Sequence, residues 1–207
     1  MLIGFVAIYV TTNITIPTQS DPVPVMSVFG WIIIHQHLGF AFNWELAWAD
    51  YKAGFGSVDA DFWFGLEKVH LLTSSQPYRL RVEVQQDSSS LWFSAEYWSF
   101  QIGDELNDKY RLEVDAYSGD AGDGLMHEGD WHGDSNVGWY LNNGMMFSTY
   151  DQDNDLGAGN CADHTNGGWW YNTCQYACLA CDNFNNVWGS LGTSAVVVNS
   201  RMMIKPQ

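Results

Sequence analysis

The segment Asp151-Gln152-Asp153-Asn154-Asp155-Leu156-Gly157-Ala158-Gly159-Asn160-Cys161 holds the densest chemistry in the chain. Carboxylates on alternate residues bring hard oxygen donors together, and the glycines let the backbone curl until its carbonyls turn inward, which is the donor set calcium takes. A calcium loop is expected, with a plain cluster of Asx turns as the alternative. The spacing is not that of an EF-hand. Gly157 stands seventh from Asp151 where the sixth position would carry glycine, and Ala162 stands where a closing Glu would be.

Four cysteines, Cys161, Cys174, Cys178 and Cys181, crowd one short stretch beside that loop. An even count suits two disulfides in an oxidising compartment and equally suits a metal site. Cys174, Cys178 and Cys181 also have the CxxxCxxC spacing that can hold an iron–sulfur cluster, but no α/β barrel accompanies it, so a cluster is set aside. His127-Glu128 with His132 has one residue too many for HExxH, so the two histidines would not share a helix face. No serine sits in a nucleophile elbow, and the carboxylates fall in the loop instead of an acid/base pair. The expectation is a binding module, not an enzyme.

Elements that could position this loop lie upstream. Residues 31–34 (WIII) read as a buried strand, 47–52 as a short helix stopping near Gly54, and 62–72 as a second helix. Alternation over 78–84 (YRLRVEV) marks a half-buried strand, with 92–100 and 110–114 as antiparallel neighbours and 196–204 as a last strand. The fold class is α+β: a central antiparallel sheet with short helices and a long irregular region over 118–186. That region is too long for an ordinary loop, and the agents available to hold it are cysteine bridges and an ion. Residues 1–29, punctuated by Pro17, Pro22 and Pro24, read as an irregular arm or leader, and 30–207 as one domain. The apolar run 2–10 has the length of a signal-peptide core but no basic residue before it, so a buried strand is the competing reading. A glycosylation triplet, Asn13-Ile14-Thr15, follows it.

With 24 Asp and Glu against 8 Lys and Arg, the formal net charge is −16. A nucleic-acid phosphate backbone is repelled and anionic membrane surfaces are disfavoured, while divalent cations and neutral or basic ligands are not. Eleven Trp, ten Tyr and eleven Phe argue for packed aromatic cores and against disorder.

The series Phe147-Ser148-Thr149-Tyr150-Asp151-Gln152-Asp153-Asn154-Asp155, then Asn160-Cys161-Ala162, then Gly167-Gly168-Trp169-Trp170-Tyr171-Asn172-Thr173-Cys174 resembles the signature of fibrinogen C-terminal domains. The resemblance runs in family order from about Gly30 to Pro206. It implies calcium (Ca2+) held by the side chains of Asp153 and Asp155 and the carbonyls of Gly157 and Gly159, with Asp151 supporting the loop from outside. It also implies a Cys161–Cys174 disulfide. The family's ligand pocket would lie around the residues after those cysteines, here His164, Thr165, Cys174 and Gln175, with the Cys174-Gln175 peptide bond often cis in relatives.

Sugar-binding members resembling this chain carry Tyr where it has Thr165, often His where it has Gln175, and a pocket Tyr near Ala195. No cysteine precedes Cys161, so the family's first disulfide has no counterpart, and residues 126–142 resemble a beta-chain insertion that reads first as a solvated surface loop, with metal binding by its His and Asp as the lesser alternative. Cys178 and Cys181 could pair, stay free or link two chains. The implied function is a secreted, calcium-stabilised module that recognises an extracellular glycan or protein, lectin-like and suited to innate defence. The alternative is a structural or signalling protein-interaction module with a vestigial sugar pocket. A homo-oligomer is compatible with either.

Overall fold

A computed structural model describes residues 9–15, 23–39, 42–87, 89–126, 141–174, 176–182, 186–191 and 196–207. Its elements are β1 (Tyr9–Ile14), β2 (Val23–Val28), β3 (Trp31–His37), α1 (Trp48–Ala53), β4 (Phe55–Gly56), β5 (Phe62–Trp63), α2 (Leu66–Ser75), β6 (Tyr78–Gln86), β7 (Trp92–Ile102), α3 (Glu105–Asp108), β8 (Leu112–Gly119), α4 (Cys161–Thr165), β9 (Ala177–Cys178), β10 (Val187–Trp188) and β11 (Val197–Pro206). The fold is α+β. An antiparallel sheet runs in the order β1-β2-β3-β11-β6-β7-β8, with β5 pairing β3 and β4 at one side.

The sheet follows from side-chain alternation. In β6 every inward residue, Tyr78, Leu80, Val82 and Val84, is buried, while Arg79, Arg81 and Glu83 face outward and are half-buried. Strand β11 lies between β3 and β6, so the chain's C-terminal strand closes the centre of the sheet. Helix α2 buries Leu66, Val69 and Leu72, a helical repeat, and packs on β7.

Two expectations are corrected. The arm over 1–29 is not irregular throughout: β1 pairs β2 from Tyr9↔Val28 to Ile14↔Val23, and β2 joins β3 at Ser27↔Ile32 and Val28↔Trp31. Strand β2 pairs with β3 at Ser27 and Val28, so at Pro24 it is laddered with β1 alone, and proline is tolerated where one side of a strand is unpaired. Likewise, 62–72 is not one helix. Phe62 and Trp63 pair with Gln36 and His35 in the sheet, and the helix begins only after Gly65. The continuous apolar run Phe62-Trp63-Phe64 fits either element, and burial on the sheet decides it.

The irregular region packs directly on the sheet lobe. Trp63, Phe147 and Trp170 form a ring cluster, with Phe147 and Trp170 edge-to-face at 5.1 Å, and Tyr51 of α1 stands 5.2 Å from Phe147. The Trp170 indole donates to the Tyr110 carbonyl at 2.8 Å. Buried Asn142 donates to the Trp170 carbonyl at 2.8 Å and accepts from the Ala177 amide at 3.2 Å, bridging the Trp170 backbone to β9. No helix of the described residues is long and apolar enough to cross a membrane.

Candidate functional site

Residues 151–160 form an open loop fixed at both ends. At its start, Asp151 accepts from the backbone amide of Trp48, the first residue of α1, at 2.9 Å and from the Thr149 hydroxyl at 2.7 Å. At its end, Asn160 caps α4 by accepting from the amides of Ala162 and Asp163. The same carboxamide donates to the carbonyls of Thr149 and Tyr150. One side chain therefore ties the two ends of the loop together.

Between these anchors, Asp155 accepts from the Gly157 amide at 2.7 Å and the Cys161 amide at 2.8 Å, while Asp153 accepts from the Asp155 amide at 3.2 Å. Burial, and then the facing Asp153 carboxylate, raise the Asp155 carboxyl above the usual aspartate range even though the two amides lower it. A Cβ on Gly157 would stand 3.0 Å from Asp155 Oδ1 and 3.2 Å from the Gly159 carbonyl oxygen, so both oxygens border the space that glycine leaves empty. The donors are all oxygen, as a hard cation requires, and two carboxylates sit close enough to repel each other without one. Among the described residues, no three His, Cys, Asp or Glu side chains converge into a metal cluster, and this loop brings together two carboxylates, those of Asp153 and Asp155.

Cys161 and Cys174 are disulfide-bonded, and so are Cys178 and Cys181. Beside the first bridge runs a groove of about 680 Å³, lined by residues 156–161, His164, Thr173 and Cys174. Leu156 stands at its rim, 66% exposed. Cys174 holds a positive φ of 79°, a strained backbone for a residue with a Cβ, and strain of this kind concentrates at ligand clamps.

The structure brings Asp153, Asp155, Gly157, Gly159, His164 and Cys174 to this one locality and turns Thr165 away from it. Thr165 is 2% exposed, and its hydroxyl is bonded to the Cys161 carbonyl at 2.8 Å and the Tyr171 hydroxyl at 2.6 Å. It is a core residue and not part of the groove wall. Behind it, the Tyr171 hydroxyl also meets the Gly167 carbonyl and the Cys181 sulfur. Gly167 presses so closely on the next segment that a Cβ would lie 1.9 Å from the Ala180 carbonyl oxygen. Gln175 and its peptide bond to Cys174, Ala195, and the His and Asp of 127–140 lie outside the described residues.

Sequence reasoning missed Asn160, Asn142 and Leu156. An Asn immediately before Cys-Ala-Asp was a legible cap signal, whereas nothing local distinguishes Asn142.

An antiparallel sheet carrying an irregular lobe, closed by a disulfide beside an acidic, glycine-bearing loop, defines a fibrinogen-like recognition module. Residues 26–206 match the family described as the C-terminal globular domain of fibrinogen beta and gamma chains. The chain belongs to that family. It is 40% identical over 143 residues to angiopoietin-related protein 1 of Bos taurus, covering 69% of this chain and 26% of that protein. With fibrinogen-like protein A of Apostichopus parvimensis it is 37% identical over 148 residues, 70% of this chain and 47% of that protein. Among solved structures, the fibrinogen-like globe domain of human ANGPTL2 has a TM-score of 0.82 at 29% identity, covering 98% of this chain and 94% of that one. Lamprey fibrin D-dimer, solved with the peptide ligand Gly-His-Arg-Pro-amide, has a TM-score of 0.87 at 28% identity and covers 96% and 69%. The chain spans about a quarter of the length of the angiopoietin-related protein it matches.

Proposed function

We propose that this domain is an extracellular protein-recognition module that reads its partner through the groove beside the Cys161–Cys174 bridge, and that the sugar pocket expected from the family resemblance is vestigial. The observation that carries this reading is the groove wall. It offers an exposed Leu156, backbone of 157–160 and His164, and the position where sugar-binding relatives carry Tyr is filled by an inward-facing Thr165. An apolar rim with backbone polar groups suits a peptide segment better than a hydroxyl-rich ring. The angiopoietin-related relatives and the peptide-bound lamprey fibrin point the same way. No catalytic residue is assigned.

The reading is tested with the folded chain on two arrays. Glycans, with and without calcium, are expected to stay silent. Extracellular protein ectodomains, with Gly-His-Arg-Pro-amide included as a peptide probe, are expected to give a binder that His164→Ala or Leu156→Ala weakens at least tenfold, about 1.4 kcal/mol. Displacement of that binder by N-acetyl sugars would restore the lectin reading.

The same loop is proposed to hold calcium through the carboxylates of Asp153 and Asp155 and the carbonyls of Gly157 and Gly159. Bound there, the ion would neutralise the facing carboxylates and fix the groove's floor. At free calcium 100-fold above its dissociation constant, chelation is expected to remove roughly 2.7 kcal/mol of stability and to lower the melting temperature. Asp153→Ala should abolish that increment at small cost to the calcium-free chain, since the Asp153 carboxylate accepts a 3.2 Å bond from the Asp155 amide but also repels the Asp155 carboxylate. Asp151→Ala should do the reverse, destabilising the chain by releasing Trp48 and Thr149 while keeping the calcium response. A melting temperature indifferent to chelator sinks the assignment.

A further inference from the structure

We infer that Asn13 is an acceptor for an N-linked oligosaccharide, carried on the outermost strand of the sheet. The triplet Asn13-Ile14-Thr15 has the required form, with a residue other than proline between Asn and Thr. Such a triplet means little until its surroundings are known. Here it falls at the end of β1, where Asn13 and Thr15 are exposed while Ile14 between them is half-buried against the main core. Alternation along extended chain puts the two polar side chains on the side opposite Ile14, so a group attached to Asn13 grows away from the packed interior.

The backbone position is equally open. Strand β1 ends the strand order, so its outer edge has no neighbouring strand among the described residues. On its inner side Asn13 faces Pro24, which has no N–H to donate. The groove beside the disulfide is built from residues 156–174 and uses none of β1. Contrast Asn142, whose carboxamide is fully buried and bonded at both ends, where a sugar would prevent folding. An oligosaccharide on an edge strand also obstructs edge-to-edge pairing with other chains.

The modification is a group transfer. The Asn13 side-chain nitrogen attacks the anomeric carbon of an oligosaccharide linked to a lipid diphosphate. A C–N bond forms as the bond from that carbon to the diphosphate oxygen breaks, the amide gives up one proton, and the lipid diphosphate leaves with the electron pair. The inference rests on the extracellular reading above, because the donor is met only in a secretory compartment.

The test expresses the full chain behind a cleavable heterologous secretion signal in a eukaryotic host, so that the chain's own routing is not what is measured. A glycosylated reporter is made in the same cells. The expected product is heavier by one oligosaccharide. Peptide N-glycosidase should collapse it, leaving aspartate at position 13 in the peptide mass map. Asn13→Gln and Thr15→Ala should abolish the shift and Thr15→Ser should keep it, whether the chain is secreted or retained in the cell. The glycosylated chain should melt no lower than Asn13→Gln. Unmodified Asn13 beside a modified reporter, or a shift that survives Asn13→Gln, overturns the inference.

Discussion

Trp170→Ala is expected to remove a large share of the domain's stability, about 3–5 kcal/mol for the lost aromatic volume in a fold whose total is of the order of 5–15 kcal/mol. Trp170 is 1% exposed, and its ring meets Trp63, Phe147 and Trp169, which bring the sheet lobe and the irregular lobe together. Its indole N–H satisfies the Tyr110 carbonyl, so truncation also leaves a buried acceptor without its donor. Asn142 holds the Trp170 backbone, and the backbone shift that follows a cavity there should reach the Ala177 amide through the same carboxamide. Urea unfolding of Trp98→Ala gives the comparison, because Trp98 is 58% exposed and its ring lies under the Arg79 guanidinium at 5.1 Å. That change should cost within about 0.5 kcal/mol, as surface substitutions do. Equal costs for the two variants would mean that the irregular lobe does not depend on this joint.

Where one face of an element meets solvent, the sequence carried its structure openly. Tyr78 to Val84 alternate, and β6 is there. Where both faces are covered, the signal vanished. The strand read from sequence stopped at Ile34, yet β3 runs on through the polar His35, Gln36 and His37, because one face packs on the main core and the other on a small cluster of Val28, Ile33 and Met203. The loop from Asp151 to Asn160 was legible because oxygen donors and glycines must be contiguous to curl around an ion. The Cys161–Cys174 pairing was legible only through family resemblance, and the Cys178–Cys181 pairing only as one of three possibilities, since spacing permits several partners for each thiol. Thr165 was misplaced for a related reason. A five-residue helix has too few turns to show which side it buries, and only the Tyr171 hydroxyl in the folded chain reveals it.

Acidification from pH 7.5 to 5 is expected to destabilise the domain through two histidines that no proposed role uses. His35 and His37 are 0% and 1% exposed, and the Trp44 ring packs on both, with centroids 5.1 and 5.6 Å away. His35 Nε2 meets the Ser200 hydroxyl at 3.2 Å, and its Nδ1 has no hydrogen-bond partner among the described residues. Burial, and then the neighbouring His37, hold His35 well below the usual histidine range. Burial also lowers His37, less strongly, because the Asp61 carboxylate and the Gly39 backbone favour its charged form. His37 Nδ1 donates to the Asn186 carboxamide oxygen at 3.3 Å, and the Asn186 nitrogen donates to the carbonyls of Cys178 and Leu179. Both folded values lie below the unfolded one, so the unfolded chain binds more protons, and stability is full above about pH 6.5 and falls as pH drops through and below it. A histidine that stays neutral in the fold costs about 2 kcal/mol at pH 5, with about 4 kcal/mol as the ceiling for the pair. Asp155, raised by burial, acts with the opposite sign because protonation relieves its repulsion from Asp153. His35→Gln should therefore flatten the loss between pH 7.5 and 5 by up to about 2 kcal/mol, even if it lowers stability at neutral pH. Equal urea midpoints for the unmodified chain at pH 7.5 and pH 5 would show that the fold accommodates the charge, with Asp61 as the group able to receive it.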